Sequence, residues 1–438
     1  MLTFRFIVSF CLTIMFASAA AAGTSPLTWV TSWSGSSQGP YPAGNPSAQP
    51  NLDLVFPAAE KGAQNQSFRM IVKPDVWGKR LRLRFSNALG TKPVTFDGVH
   101  VGVQLSGSAL LPNSNQPVTF DGNNTVTVAP GDNVWSDAVE LKCDPDAMLG
   151  RKLAVSFHIA GESGPMTWHA KALTTSYVSS PNSGSHGNEE GEEAFQTPTT
   201  SWYFLNAVDM ELPASTKAVV AFGDSITDGT GSTLNGDDRW TDVLSRRLHA
   251  KFGQKFSVVN AGIGGNQVAG PQTYSAEKPF PGGPSALSRL DRDVLTLSNV
   301  GTVIWLEGIN DFSKNGNTSA DVVISSMKDG IAGIRAKIPG VRVIGSTLTP
   351  ALGSTSAAHG FPEQDEKRQA LNKFIRTSGI FDGVIDFEKP TLDPASGGMR
   401  EEFVADSTTG AKGDRLHPNR LGYLTMGATI DLTIIAPN

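Results

Sequence analysis

"AFGDSITDGTGS", residues 221–232, closes an apolar run. Ala218, Val219, Val220, Ala221 and Phe222 precede the break at Gly223-Asp224-Ser225. A short run of apolar and β-branched residues without polar alternation is expected of a parallel strand covered on both faces. A serine placed directly after such a strand is either a helix cap or turn residue, or a nucleophile. The stretch alone does not choose, because a hydroxyl needs a base from elsewhere in the chain.

Working outward, the same texture recurs to the C-terminus. Short apolar runs at 256–260, 302–306, 342–347 and 384–386 read as further strands. Between them lie helical patterns, "DDRWTDVLSRRLHAKF", "ADVVISSMKDGIAGIRAKI", "EQDEKRQALNKFIRTSG" and "PNRLGYLTMGATIDLTII". Alternating strand and helix predicts a three-layer α/β/α, flavodoxin-like domain with a parallel sheet over 213–438. Trp240 and Trp305 fall in its first helix and third strand, where core packing is expected.

Residues 23–212 read differently. "KRLRLRFSNALG" alternates Leu81, Leu83 and Phe85 with Arg80, Arg82, Arg84 and Ser86. Period two predicts a half-buried strand. Similar runs separated by Gly, Asn, Asp and Pro predict an all-β accessory domain of sandwich or jelly-roll type. The acidic stretch containing Glu189, Glu190, Glu192 and Glu193 predicts a solvated loop; its glutamates lack the spaced-ligand pattern of a calcium site.

Residues 1–22 have one basic side chain, a short apolar core and a run of small residues. That pattern predicts a secretory signal peptide cut after Ala19 or Ala22, hence an exported protein. No second stretch is apolar and long enough for membrane insertion. Cys143 is then the only cysteine of the exported chain and forms no internal disulfide; two nearby acids argue against a reactive thiol. The net charge of -5 leaves no basic excess for nucleic acid.

In an open parallel sheet, ligands bind beyond the carboxyl ends of the strands. The loops leaving the predicted strands carry Ser225, then Gly262 to Asn266, then Asn310. "GDRLHPN", before the last helix, adds Asp414 and His417. A hydroxyl, an imidazole, a carboxylate and several N–H donors are the parts needed for acyl transfer. A phosphate site is disfavoured, since neither G-x-x-x-x-G-K-[ST] nor G-x-G-x-x-G follows the first strand.

The blocks "FGDSITDG", "NAGIGGNQV", "LEGIND" and "GDRLHPN" resemble those of the GDSL, or SGNH, serine hydrolases, with Ile226 where the family shorthand has Leu. The β half resembles the leader domain of a secreted bacterial subgroup. The resemblance implies Ser225 as nucleophile, His417 as base and Asp414 as its orienting acid. It implies an oxyanion hole of the Ser225 N–H, the Gly265 N–H and the Asn310 amide, with Gly264 the rival for the second place. No metal or cofactor is implied. Asp224, Asp228 and Asp311 are expected to be structural. The expected activity is hydrolysis of short acyl esters, such as those on polysaccharides. Lipid or aryl esters, acyl transfer, and a non-catalytic glycan-binding role are the alternatives.

Overall fold

The computed structural model describes residues 26–404 and 412–437. The export signal expected at 1–22 lies outside them. The first half is built from antiparallel strands, chiefly β1 (Leu27–Ser34), β2 (Gln64–Val72), β3 (Arg80–Ser86), β4 (Val94–Ser106), β5 (Leu153–Glu162) and β6 (Leu205–Pro213). One sheet has β6 between β1 and β3, and a second has β5 between β2 and β4. Their facing sides meet through aromatic rings. Phe85 of β3 lies 5.0 Å from Phe96 of β4 and 5.2 Å from Phe157 of β5, centroid to centroid. Burying each such ring stabilises the fold by roughly 1.5–3 kcal/mol.

The alternation in β3 is real, but its other face is not open. Leu81, Leu83 and Phe85 are fully buried, and Arg84 is only 2% exposed. The Arg84 guanidinium donates to Asn206 Oδ1 (2.9 Å), Thr296 Oγ1 (2.9 Å) and the Arg292 carbonyl (3.1 Å). Arg82 pairs with Asp209 at 2.8 Å. The half-buried strand is thus covered on both sides. Its polar face packs on the following α/β region through hydrogen bonds. Burial lowers the Arg84 pKa to about 10, so it remains charged at neutral pH.

The second half holds five parallel strands: β7 (Lys217–Gly223), β8 (Phe256–Gly262), β9 (Val300–Leu306), β10 (Arg342–Ser346) and β11 (Gly383–Ile385). Their order is β8-β7-β9-β10-β11. Each overlaps a run read from the sequence. The helices are α1 (Ser225–Asp228), α2 (Trp240–Phe252), α3 (Ala286–Leu290), α4 (Ala320–Lys337), α5 (Pro362–Thr377), α6 (Glu388–Thr391) and α7 (Arg420–Thr429). α2 packs on α7, and α4 packs on α3 and α5. Right-handed crossovers put these two groups on opposite faces of the sheet. Trp240 and Trp305 are both fully buried. The chain leaves β7 for β8 on one side and later reaches β9 on the other. The switch point therefore lies at the carboxyl end of β7, where Ser225 begins.

The acidic loop keeps Glu192 and Glu193 exposed, as expected, but its backbone is anchored. The Arg69 guanidinium, fully buried, donates to the carbonyls of Ser108 (2.6 Å), Gly191 (2.8 Å) and Glu189, and lies 3.9 Å over the Phe195 ring. Glu190 accepts the Asn113 N–H at 3.0 Å. The loop buries its carbonyls on a cation, while Glu189 keeps a largely solvated carboxylate. Among the described residues no three His, Cys, Asp or Glu side chains gather as a metal site, and no helix is long and apolar enough to cross a membrane.

Candidate active site

β7 ends at Gly223, where the neighbouring strand β9 is too close for a side chain. A Cβ there would stand 2.3 Å from the Leu306 carbonyl oxygen. Asp224 then caps α1, its Oδ1 accepting the Ile226 N–H at 3.0 Å. Ser225 follows as the first helical residue, so its own N–H has no intrahelical partner. Ser225 Oγ lies 2.8 Å from His417 Nε2. His417 Nδ1 lies 2.7 Å from Asp414 Oδ2. The other oxygen, Asp414 Oδ1, accepts the N–H groups of Leu416 (3.0 Å) and His417 (2.9 Å). Burial acts to raise the Asp414 pKa. The bonds from the His417 ring and from the backbone outweigh it and hold the carboxyl well below the usual range. Between the two, Arg415 occupies the left-handed region at φ 58°. Such strain costs a non-glycine residue about 1–2 kcal/mol, and here it closes the turn that brings acid and imidazole together.

The second loop follows β8. Gly265 has φ 82°, and a Cβ on it would stand 2.9 Å from Asn45 Nδ2, so a side chain is excluded twice over. Its N–H finds no acceptor among the described residues. Asn310, at the end of the third loop, is 8% exposed and donates one amide hydrogen to the Asn266 carbonyl at 2.9 Å. Its second amide hydrogen is left for a ligand. Gly264, the rival donor, has its N–H committed to Asp228 Oδ2 at 2.9 Å. Asp311 accepts the Val268 and Ala269 N–H groups at 2.7 and 2.8 Å, and so ties the second loop to the third.

Several residues at the site carry no sequence signal. Arg289 of α3 is buried and donates to the carbonyls of Gly223 (2.8 Å) and Ala261 (2.8 Å) and to the Asn266 side chain (2.6 Å). One guanidinium thus joins the ends of β7 and β8. The N-terminal half also reaches in. His169 Nε2 meets Asp228 Oδ1 at 3.1 Å, and Lys171 Nζ donates to Thr230 Oγ1 at 2.6 Å. Gln38 and Asn45 donate to the Gly264 carbonyl at 2.9 and 3.0 Å. Burial lowers the Lys171 pKa, against the pull of Asp228 and Asp414.

Beneath the loops lie three buried acids. Burial raises Asp224 to about 7, Glu307 to about 8 and Asp311 to about 6. Glu307 lies 3.7 Å from Arg289 and is also close to Asp224 and Asp311. A raised carboxyl favours the fold while protonated. Its contribution is complete below the ordinary glutamate pKa of ~4.3 and disappears as pH rises through about 8. Glu307→Gln is therefore expected to melt progressively higher than wild type as pH goes from about 5 to about 9. Parallel melting curves across that range would contradict a protonated Glu307.

A parallel sheet with a serine at its switch point, facing an imidazole and a carboxylate, has the parts of a serine hydrolase. Residues 221–424 match the family described as GDSL-like lipase/acylhydrolase, and this part of the chain belongs to it. Residues 221–424 thus form a carboxylic ester hydrolase domain of the GDSL-like type. Similar solved structures include a carbohydrate acetylesterase from Sinorhizobium meliloti, at 15% identity and TM-score 0.37, covering 50% of this chain and 99% of that one. An aryl esterase from M. smegmatis shows 18% identity and TM-score 0.37, covering 49% and 95%. A lipase/acylhydrolase from Enterococcus faecalis shows 24% identity and TM-score 0.37, covering 49% and 93%. No curated protein matches the chain.

Proposed function

We propose that the protein is an exported serine esterase that works through an acyl-enzyme. The observation that carries this reading is the continuous chain from Ser225 Oγ to His417 (2.8 Å) to Asp414 (2.7 Å). His417 Nε2 takes the Ser225 proton as Oγ bonds to the ester carbonyl carbon. The carbonyl oxygen becomes an oxyanion, received by the N–H groups of Ser225 and Gly265 and by the Asn310 amide. The C–O bond then breaks, and the proton on His417 passes to the leaving alkoxide. Water repeats the cycle on the acyl-enzyme, releasing the acid and restoring Ser225. Asp414 stays ionised throughout and fixes the tautomer in which Nε2 is free to accept.

The preferred substrates are short acyl esters on a polar alcohol such as a polysaccharide. The expected export signal supports this. Lipid or aryl esters, and acyl transfer to an alcohol in place of water, use the same machinery. Acetylated xylan, acetylated pectin fragments and p-nitrophenyl esters of graded chain length, compared by kcat/KM, test the assignment. A preference for long acyl chains over all acetylated polysaccharides would overturn it. On the same substrates Asn310→Ala is expected to lower kcat about 10²–10³-fold with little change in KM, because the donor acts mainly in the transition state. An effect confined to KM would assign Asn310 to substrate binding.

A further inference from the structure

We infer that the N-terminal β half aims one arm of the oxyanion hole, with Gln38 and Asn45 as positioning residues for the Gly265 N–H. The inference rests on the reading of that N–H as an oxyanion donor. A peptide unit is planar and trans, so the Gly264 C=O and the Gly265 N–H point in opposite directions from one rigid plate. Fixing the carbonyl fixes the N–H.

Two side-chain amides grip that carbonyl, Gln38 Nε2 at 2.9 Å and Asn45 Nδ2 at 3.0 Å. Both also donate to the Pro281 carbonyl, so the pair ties the 264 loop to its neighbour. Gln38 is itself fixed. It is fully buried, its N–H donates to the Trp168 carbonyl at 2.8 Å, and its carbonyl accepts the Tyr274 hydroxyl at 3.1 Å. The preceding peptide is held from the same side. The Gly264 N–H donates to Asp228, Asp228 meets His169, and His169 Nδ1 donates to the Ser36 carbonyl at 2.7 Å.

The physical need is clear. Two consecutive glycines have more accessible backbone conformations than any other pair, and an oxyanion hole works only if its dipoles are aligned before charge develops. The clamps remove that freedom. Donors on the Gly264 carbonyl also polarise the amide, which makes the Gly265 N–H a stronger donor. The β half is by this account part of the catalytic apparatus and not a detachable accessory.

The test uses the full chain, p-nitrophenyl acetate as substrate and phenylboronic acid as a tetrahedral mimic. Gln38→Met keeps the length of the side chain and removes the donor; Asn45→Ala changes a partly exposed loop residue that can be lost without unfolding. The double variant is expected to lose about 10–100-fold in kcat with KM little changed, and Asn45→Ala alone about 3–10-fold. Boronate affinity is expected to fall by the same factors, with melting temperature nearly unchanged for Asn45→Ala. A purely structural role would lower melting temperature and leave kcat per folded molecule and boronate affinity intact; that result would overturn the proposal. Ser225→Ala measured alongside separates the two readings. An inactive Ser225→Ala beside fully active clamp variants removes only the aiming role. An active Ser225→Ala overturns the nucleophile assignment, and the aiming role with it.

Discussion

Ser225→Ala is expected to fold as the wild type does and to lose about 10⁴–10⁶-fold in ester hydrolysis. The folding part follows from what the hydroxyl touches. Its one bond is to His417, and a single such bond contributes roughly 1 kcal/mol. The backbone turn is set by Gly223 and by the Asp224 cap, both unchanged. The activity part follows because neither nearby acid is free to attack in its place. Asp224 is fully buried, with one oxygen on the Ile226 N–H, and Asp228 is spent on Gly264 and His169. The oxyanion donors remain, so a small residual rate over water is expected. A fluorophosphonate should add its mass to the peptide containing Ser225 and to no other peptide. Labelling of a different serine, or a rate within tenfold of wild type, would remove Ser225 from the mechanism.

The α/β half was legible because its physics is local. A parallel strand covered on both faces must be a short apolar run, and 218–222 is one. The glycines and asparagines at the strand ends were visible for the same reason. A backbone that must take φ 82° at Gly265, or approach Leu306 within reach of Gly223, strongly favours glycine. The rest of the site was not legible, because its partners lie far apart in the chain and look ordinary where they stand. Gln38 is separated from Gly264 by 226 positions and sits in a plain polar stretch. Arg289 in a short helix reads as a surface residue, yet it is buried against two strand ends. In β3 the period-two pattern was correct and its meaning incomplete. Alternation reports that two faces differ in polarity; it does not say that the polar face meets water. Arg82 and Arg84 meet a second protein layer that supplies hydroxyls and a carbonyl, while the neighbouring strand supplies the Asp209 carboxylate. That burial of polar residues is also why the contact between the two halves was not visible in the sequence.

His417→Ala is expected to be as inactive as Ser225→Ala, since removing either member of the pair abolishes the proton transfer. Asp414→Ala should keep more activity, about 10–100-fold above His417→Ala, because the imidazole remains as a base but loses its orientation and tautomer. The competing account of "GDRLHPN" is purely structural. Asn419 already caps α7, its Oδ1 accepting the Leu421 and Gly422 N–H groups at 3.0 Å each. Asp414 likewise accepts two backbone N–H groups. On that account both variants lose melting temperature and keep kcat per folded molecule, so both quantities must be measured on the same preparations. The pH profile adds an independent discriminator. The His417 and backbone bonds hold the Asp414 carboxyl well below the usual range, so it stays ionised wherever the enzyme is folded. A protonated imidazole cannot accept the Ser225 proton. A plot of log kcat/KM should therefore fall toward low pH with a slope of about one, reporting a single proton. A slope near two would mean that a second group, such as one of the raised acids Asp224 or Asp311, must also be ionised for catalysis. Full activity in a well-folded His417→Ala would leave Ser225 without its base, and the 2.8 Å contact would then be only a hydrogen bond.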